Sequence, residues 1–511
     1  MSFYRSPGVY IVEKPIVPGT VAPVGTGSLA IWGEFPWGPT TPTLVTSWKQ
    51  FVEEYGEWGG IDNAKALNSL FGFGVSNSTK LPAYAVYQYF LNGGASAYVV
   101  NAITGGTKAS ATVDIVTSGS GKNQLTVMAK YPGTYGNNIK FDVTMASSGA
   151  PRRFKIVIKV DWGASNVEVV EVFDEVSFDD PNAQNYISKL SSKLVTFSFA
   201  NFDASVLPGS GFSGISSTLA GGTAPSEDTN ISAIVSRFSD LNEILIFVSP
   251  QNENDSSALG NIKSAISSIP YSLLVLSFDM NDPTNFATSL DAYGALRSDK
   301  VVFYYPYIWM VNPATGVEEE VSPSGAIAGV YIRNDVQYNV GKTPAGVNAV
   351  INGATALSVA NSKTFIVPQS VIDTLYPKHF NPIIYKDGIG IILWGARLST
   401  LSDEWKYINK RRLLYFIEKS IKDAIAWVNF ENNTPDTRFK VQMQIDSFLR
   451  RLTLDGYFAS RTPSEAYFVI CDSTNNPPDL VNSGYLVVDV GIAPGKPAEF
   501  IVLRFTEKVG G

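Results

Sequence analysis

Cysteine and histidine are almost absent from this 511-residue chain, which has only Cys471 and His379. One cysteine excludes an intrachain disulfide and any thiolate metal cluster, and it fits a reducing compartment. We read it as a small buried apolar side chain. One histidine excludes a two-histidine metal site and forces any Ser/His/Asp or Cys/His arrangement through His379. The neighbours of His379, LYPKHFNP, carry no nucleophile motif, and G-x-S-x-G does not occur. Basic charge is not in excess either. The 39 Lys and Arg against 46 Asp and Glu leave −7, and no Lys/Arg block stands out, so no direct nucleic-acid contact is expected. The longest apolar stretches, such as Glu243–Val248 and Tyr271–Phe278, are strand-length. Neither a membrane span nor an N-terminal signal peptide is expected. No period of 20 to 50 residues repeats, which speaks against a solenoid or propeller.

What is present is core material. Apolar residues make up 45% and charged residues 17%, and the length suits roughly three domains. Ser28–Gly33 (SLAIWG) reads as a strand, Trp48–Tyr55 as a short helix, Pro82–Leu91 as a helix with Pro82 in its first turn, and Ala97–Ile103 as a strand. From about Thr107 to Gly222 the pattern turns to period two, as in Ile139, Phe141, Val143 and Met145, then Phe154, Ile156, Ile158 and Val160. That predicts an antiparallel β domain inserted into something else. Strand and helix then alternate: Ile244–Val248, a helix face on Ala258, Ile262, Ala265, Ile266 and Ile269, Leu273–Phe278, a helix through Phe286, Leu290 and Tyr293, and Val301–Tyr305. Near-continuous apolar strands separated by helices predict a parallel sheet covered on both faces.

Further on, a helix from about Asn409 to Val428 carries Leu414, Ile417, Ile421, Ile425 and Val428 on one face, with Glu418 and Lys422 spaced for a surface pair. Another starts at Thr434 as N-cap with Pro435 behind it, buries Val441, Ile445, Phe448 and Leu452, and stops at Gly456. Strands follow at Ala466–Cys471 and Tyr485–Ile492. The predicted fold class is therefore α/β multidomain: an N-terminal arm and linker (1–27), an α/β core with a parallel sheet (28–106 with 223–370), an inserted antiparallel β domain (107–222), an α+β C-terminal domain (371–492) and a C-terminal arm (493–511).

The phosphate-site candidates are weak. Gly341, Lys342 and Thr343 resemble the end of a phosphate loop, but Val336 stands where the earlier glycine is needed and Pro344 follows. Gly25, Gly27 and Ala30 lead into a strand, and Gly209, Gly211 and Gly214 lie in a Ser/Gly-rich turn. Glu318, Glu319 and Glu320 diverge as neighbours and read as a solvated loop. No cofactor, metal or catalytic residue is assigned. An α/β core with empty catalytic positions argues for a scaffold.

The two ends are the positive signal. Ser6–Lys14 (SPGVYIVEK) and Phe500–Phe505 (FIVLRF) are short, rich in β-formers, apolar on both faces and set off by the Pro/Gly spacers Pro15–Gly27 and Ala493–Pro497. They suit strand addition on another sheet edge, and head-to-tail exchange between copies can propagate as a helical lattice. Pairing of each end with its own domain is equally compatible with the sequence.

SPGVYIVEKP, SPSGAIAGVYIRND (Ser322–Asp335) with GKTPAGV after it, GIGIILWGARLS, WKYINKRRLLYFIEKSI, EAYFVICD (Glu465–Asp472) and GIAPGKPAEFIVLRF occur in that order. In these segments the chain resembles the sheath proteins of contractile phage tails and related injection machines. The insert resembles them more weakly, through YPGTYGN and LAGGT. The resemblance implies a homo-oligomer of stacked six-fold rings around an inner tail tube protein, with baseplate and tail terminator proteins at its ends, in a virion tail assembled in the host cytoplasm. It implies that Val9, Tyr10, Ile11 and Val12, and Phe500, Ile501, Val502, Leu503, Arg504 and Phe505, are strands donated to C-terminal domains of neighbouring subunits. The C-terminal domain would face the tube, and Arg438, Lys440, Arg450 and Arg451 are candidates for an acidic tube surface or for a plain solvated helix face. The spacers would be hinges. Contraction would drive the tube through the host cell envelope. Rival readings are the sheath of a phage-tail-like bacteriocin, a static surface lattice, and an α/β hydrolase or nucleotide-binding enzyme.

Overall fold

The computed structural model describes residues 21–56, 63–117, 120–161, 163, 167–209, 212–278 and 294–499. The chain divides into two compact units, Gly27–Arg333 with Pro344–Lys406, and Met1–Thr26 with Asn334–Thr343 and Tyr407–Gly511.

In the first unit, Val, Ile, Leu and aromatic residues fill β1 (Ser28–Gly33), β13 (Leu245–Val248), β14 (Ser272–Ser277) and β15 (Val301–Tyr305). Every residue of these four strands is buried, as strands covered on both faces must be. With β2 (Thr43–Val45), β3 (Ala97–Asn101), β20 (Phe380–Lys386) and β21 (Gly390–Leu393) they make an eight-stranded sheet in the order β2-β3-β1-β13-β14-β15-β20-β21. The strands from β3 to β20 pair in parallel, and β2 and β21 close the two edges antiparallel. This corrects the domain boundary expected at 371. Phe380 and Asn381 pair with Phe303 and Tyr304, and the Asn381 amide donates to Phe303 O (3.0 Å) and Arg397 O (2.7 Å), so the core continues to Lys406.

The helices of this unit are α1 (Trp48–Tyr55), α2 (Asn63–Phe71), α3 (Asn77–Leu91), α4 (Ile231–Ser236), α5 (Ser256–Ser267), α6 (Ser324–Gln337), whose last residues enter the second unit, and α7 (Gln369–Leu375). Asp255 caps α5, which buries Ala258, Ile262 and Ile266. The helix expected through Phe286, Leu290 and Tyr293 lies outside the described residues. Helix α3 begins a turn before Pro82, where the sequence suggested its start. Pro82 has no N–H for Ser78 O, and the Glu34 N–H takes that carbonyl instead (2.9 Å). SPSGAIAGVYIRND folds as α6, buried nearly all round. A Cβ on Gly329 would sit 2.5 Å from Tyr89 O, so glycine lets α6 lie backbone to backbone against α3. Gln88 donates to Ser322 O (2.9 Å) and accepts from Ala326 N–H (3.2 Å), satisfying a donor at the start of α6.

The insert leaves and rejoins the core beside a short ladder of β4 (Ile103–Thr104) and β12 (Ser226–Glu227). It holds two antiparallel sheets, one of β5 (Ser110–Asp114), β6 (Gln124–Ala129) and β10 (Val195–Ala200), the other of β7 (Ile139–Met145), β8 (Arg153–Asp161), β9 (Val167–Ser177) and β11 (Ile215–Thr218). The alternating residues read from the sequence, including Phe141, Val143, Phe154, Ile156 and Ile158, are its core. A smaller sheet joins β16 (Tyr307–Val311), β17 (Glu318–Val321), β18 (Ala354–Val359) and β19 (Ser362–Thr364). Here Glu318–Glu320 form a strand, not the expected loop. Glu318 pairs with Lys363 (2.5 Å), while Glu319 meets Lys80 (3.3 Å) and accepts from Tyr84 (3.2 Å) and Asn312 (3.0 Å).

Candidate functional site

The second unit is built on α8 (Ile408–Ala424) and α9 (Pro435–Leu454), with the two-stranded antiparallel sheet of β22 (Tyr467–Ile470) and β23 (Asp489–Ile492). Thr434 caps α9 through Thr437 N–H, as Thr-Pro at a helix start predicts, and Val441, Ile445, Phe448 and Leu452 are buried. Helix α8 buries Ile408, Leu413, Phe416 and Ser420. Phe416 stacks on Tyr457, with ring centroids 5.9 Å apart.

A buried ion pair organises this unit. Arg412 reaches Asp335 through Nη1–Oδ1 (2.9 Å) and Nη2–Oδ2 (2.6 Å), both side chains nearly inaccessible, and Nη2 also donates to Thr26 O (3.2 Å). The bidentate fork ties together the end of α6, α8 and the N-terminal linker. The linker is held at two more points, by Val24 N–H donating to Ser420 Oγ (3.3 Å) and by Arg451 donating to Val21 O (3.1 Å). The C-terminal spacer is held too. Ala493 N–H donates to Ala466 O (2.8 Å), Ala459 N–H to Ala493 O (3.0 Å), and Asn409 to both Gly341 O (2.9 Å) and Gly495 O (3.1 Å). The described parts of both expected hinges are therefore docked. At Gly341, the phosphate-loop candidate, a Cβ would lie 2.5 Å from Tyr457 O; the glycine serves close packing.

Between α8 and β23 runs an open groove of about 1250 Å³. One wall is Leu414, Ile417, Ile421, Ile425 and Val428, the face read from the sequence as core; the other is Leu486, Val488, Val490 and Ile492. Helix α8 is thus apolar on two faces, one packed at home and one open. Phe430, beyond the helix, is fully exposed at the rim. A two-stranded sheet is marginal by itself and gains from further strands, and this one leaves Phe468 and Val490 exposed. Glu418 stands in the α8 wall. Burial pushes its carboxyl above the usual carboxylate range, and the Arg411 guanidinium draws it partly back. The Glu418 to Lys422 pair expected on the surface does not form; the helix pair is Lys419 to Asp423 (2.8 Å).

The other candidates are dispersed. Arg438 is buried and donates to Asn433 Oδ1 (2.8 Å), and Lys440 pairs with Asp436 (2.5 Å), so the four basic residues do not form one face; Arg450 and Arg451 are exposed. Val9, Tyr10, Ile11 and Val12, and Phe500 to Phe505, lie outside the described residues. His379 is buried with Nδ1 3.0 Å from Leu398 O, and burial lowers its pKa. Cys471 is buried and its thiol is pushed up by desolvation. Among the described residues, no group of three or more His, Cys, Asp or Glu is placed to hold a metal, and no helix is long and apolar enough to cross a membrane. The groove and the Arg412–Asp335 pair were missed from the sequence. Its one available signal was a helix with more apolar surface than a single packed face needs.

Residues 400–507 match the family described as phage tail sheath C-terminal domain. This part of the chain is similar to tail sheath C-terminal domains. The tail sheath protein of Vibrio phage KVP40 is 26% identical over 298 residues, 56% of this chain and 40% of that protein. The tail sheath protein of Enterobacteria phage T4 is 27% identical over 188 residues, 36% of this chain and 27% of that protein. The alignments thus span less than half the length of these curated relatives. Along the whole chain the fold is that of sheath structures. The anti-feeding prophage helical sheath in its contracted state aligns with 99% of this chain and 100% of its own at TM-score 0.59 and 21% identity. The sheath complex of an extracellular contractile injection system, PVC, in its contracted state aligns with 100% and 99% at 0.54 and 18%. The resemblance to contractile tail sheath proteins read from the ordered motifs holds.

Proposed function

We propose that this chain is a structural sheath subunit, not an enzyme, that polymerises by strand exchange between copies into a helical sheath around an inner tube. The observation that carries this reading is the open apolar groove beside a two-stranded sheet, in the unit where both terminal segments are docked. An extended peptide laid along such an edge gains main-chain hydrogen bonds and pockets for alternate side chains. The subunits stack as six-fold rings between baseplate and terminator proteins in a virion tail assembled in the host cytoplasm, and the sheath contracts to drive the tube through the host envelope. Contraction needs no nucleotide: at about 25 cal/mol per Å², a further few hundred Å² of apolar contact per subunit is worth several kcal/mol. The exposed Arg450 and Arg451 are the remaining candidates for an acidic tube, and reversing their charge is expected to weaken assembly on tubes.

A second reading, the sheath of a non-phage injection machine, is favoured by the full-length fold match to the anti-feeding prophage sheath. Negative-stain electron microscopy of concentrated full-length protein tests the common core of both. Hollow tubes or stacked rings are expected, and stable contractile sheaths from a chain lacking Met1–Pro15 would contradict strand exchange at that end.

A further inference from the structure

β1 pairs with β3 on one side and β13 on the other, so the strand order of the parallel sheet reverses there. In open α/β sheets the crevice at the carboxyl ends of such strands is where ligands bind. Here the chain's own turn Pro250–Asn252 lies across it, with Gln251 donating to Trp32 O (3.1 Å) and Asn252 to Ser249 Oγ (2.8 Å). The next residue, Glu253, is wholly buried and makes no ion pair among the described residues. We propose that Glu253 is a proton-held latch: its neutral carboxyl ties the smaller sheet and the start of α6 to the ends of β13 and β14, and loss of that proton lets the smaller sheet open while the parallel sheet stays closed.

Several elements meet on this carboxyl. Ser277 N–H, at the end of β14, donates to Oε1 (3.0 Å), and Tyr307 OH, on β16, donates to Oε2 (2.7 Å). At the start of α6 the Ser322 and Ser324 hydroxyls stand beside it, 3.0 Å from each other. Helix α3 sends Gln88 to Ser322 O (2.9 Å). Of these groups Tyr307 alone titrates, and none is charged at neutral pH. The buried Asp335 has the Arg412 fork to answer it, whereas Glu253 has only neutral donors. An anion in such a place is costly, and desolvation accordingly pushes the carboxyl up to about 8. A neutral carboxyl in turn needs an acceptor for its proton. Ser277 Oγ, on the residue whose N–H reaches Oε1, is buried with no hydrogen-bond partner.

The smaller sheet is the side that yields. β13 and β14 each have a strand on both flanks and are buried throughout. The smaller sheet has exposed apolar residues at Val311 and Val317, and its outer strand β19 is mostly exposed. Local opening is drawn from such thinly buried regions.

Thiol labelling of the full chain tests this. Ser358→Cys, opposite Tyr307 in the ladder, reports on the smaller sheet, and Ser272→Cys in β14 reports on the parallel sheet; both serines are buried. The unaltered chain gives the contribution of the buried Cys471. The ratio of the two labelling rates cancels the thiolate's own pH dependence. This ratio is expected to rise about tenfold per pH unit between about 4.5 and 8 and then level off, because the open form has lost the proton that the closed form keeps. Glu253→Gln is expected to make it flat. Tyr307→Phe removes a donor that favours the anion and should move the levelling point up, whereas Ser277→Ala removes the acceptor of the proton and should move it down. A merely structural role would not produce opposite shifts, and they carry the test if Glu253→Gln fails to fold. An infrared carbonyl band of a neutral carboxylic acid is expected at pH 7 and should be missing from Glu253→Gln. Absence of that band from the unaltered chain, a flat ratio in it, equal acceleration of both reporters, or shifts of one sign in the two variants would each overturn the proposal.

Discussion

The eight-stranded sheet and the two-stranded sheet solve the same problem differently. In the first unit each edge of the parallel sheet is finished by an antiparallel strand of the same chain, β2 on one side and β21 on the other, and the central strands are wholly buried. In the second unit the described residues supply two strands, β22 and β23, and leave an apolar groove beside them. One region is complete as folded. The other leaves apolar surface open beside its sheet edge.

The contrast can be broken at several points. The largest effect is expected for Arg412→Ala, which strands the buried Asp335 carboxylate and should cost about 3–5 kcal/mol. In calorimetry the second unit's transition should fall and the first unit's should stay; a common shift of both would mean that the units unfold as one. Leu274→Ala, in the middle of β14, should cost about 2–5 kcal/mol in the first unit. Denaturant titration followed by the buried tyrosines of that unit reads it.

Glu253 offers a sign test. Its carboxyl is fully buried, accepts from Ser277 N–H (3.0 Å) and Tyr307 OH (2.7 Å), and is pushed up to about 8 chiefly by desolvation. Between its ordinary value near 4.5 and about 8, the unfolded chain has lost this proton and the folded one keeps it. Stability should therefore fall as pH rises through that window, by about 1.4 kcal/mol per pH unit from this group, and level off above it. Glu253→Gln should flatten the slope, and an unchanged profile would show that the carboxyl is ionised in the fold. The smallest effect on the isolated chain is expected for Ile421→Ala. Lying on the open groove, it should cost under about 1 kcal/mol, yet it should impair assembly. A loss as large as that of Leu274→Ala would mean the groove is already filled.

Much of the local structure was legible because its causes are local. Ser28–Gly33, Trp48–Tyr55 and Val301–Tyr305 fall where the apolar runs put them, and Thr434-Pro435 sets the start of α9. The errors came where a distant residue decides. Helix α3 starts before Pro82 because Glu34 accepts the role of the missing donor. Glu318–Glu320 form a strand in which Lys363 answers Glu318, and Lys80, Tyr84 and Asn312 answer Glu319. Phe380–Lys386 read as C-terminal until its pairing with β15 placed it in the core.

By itself the sequence determined that the chain builds a parallel α/β core with a β insertion, and that any histidine or cysteine chemistry would have to pass through His379 or Cys471. Periodicity, propensity and composition act over a few residues and are written in order along the chain. The tertiary structure decided which apolar face stays open. Helix α8 has two such faces, and only the packing of α9, Asp335 and the N-terminal linker against one of them leaves the other, with Glu418, as a groove. That choice depends on contacts between segments far apart in sequence, which no local pattern records.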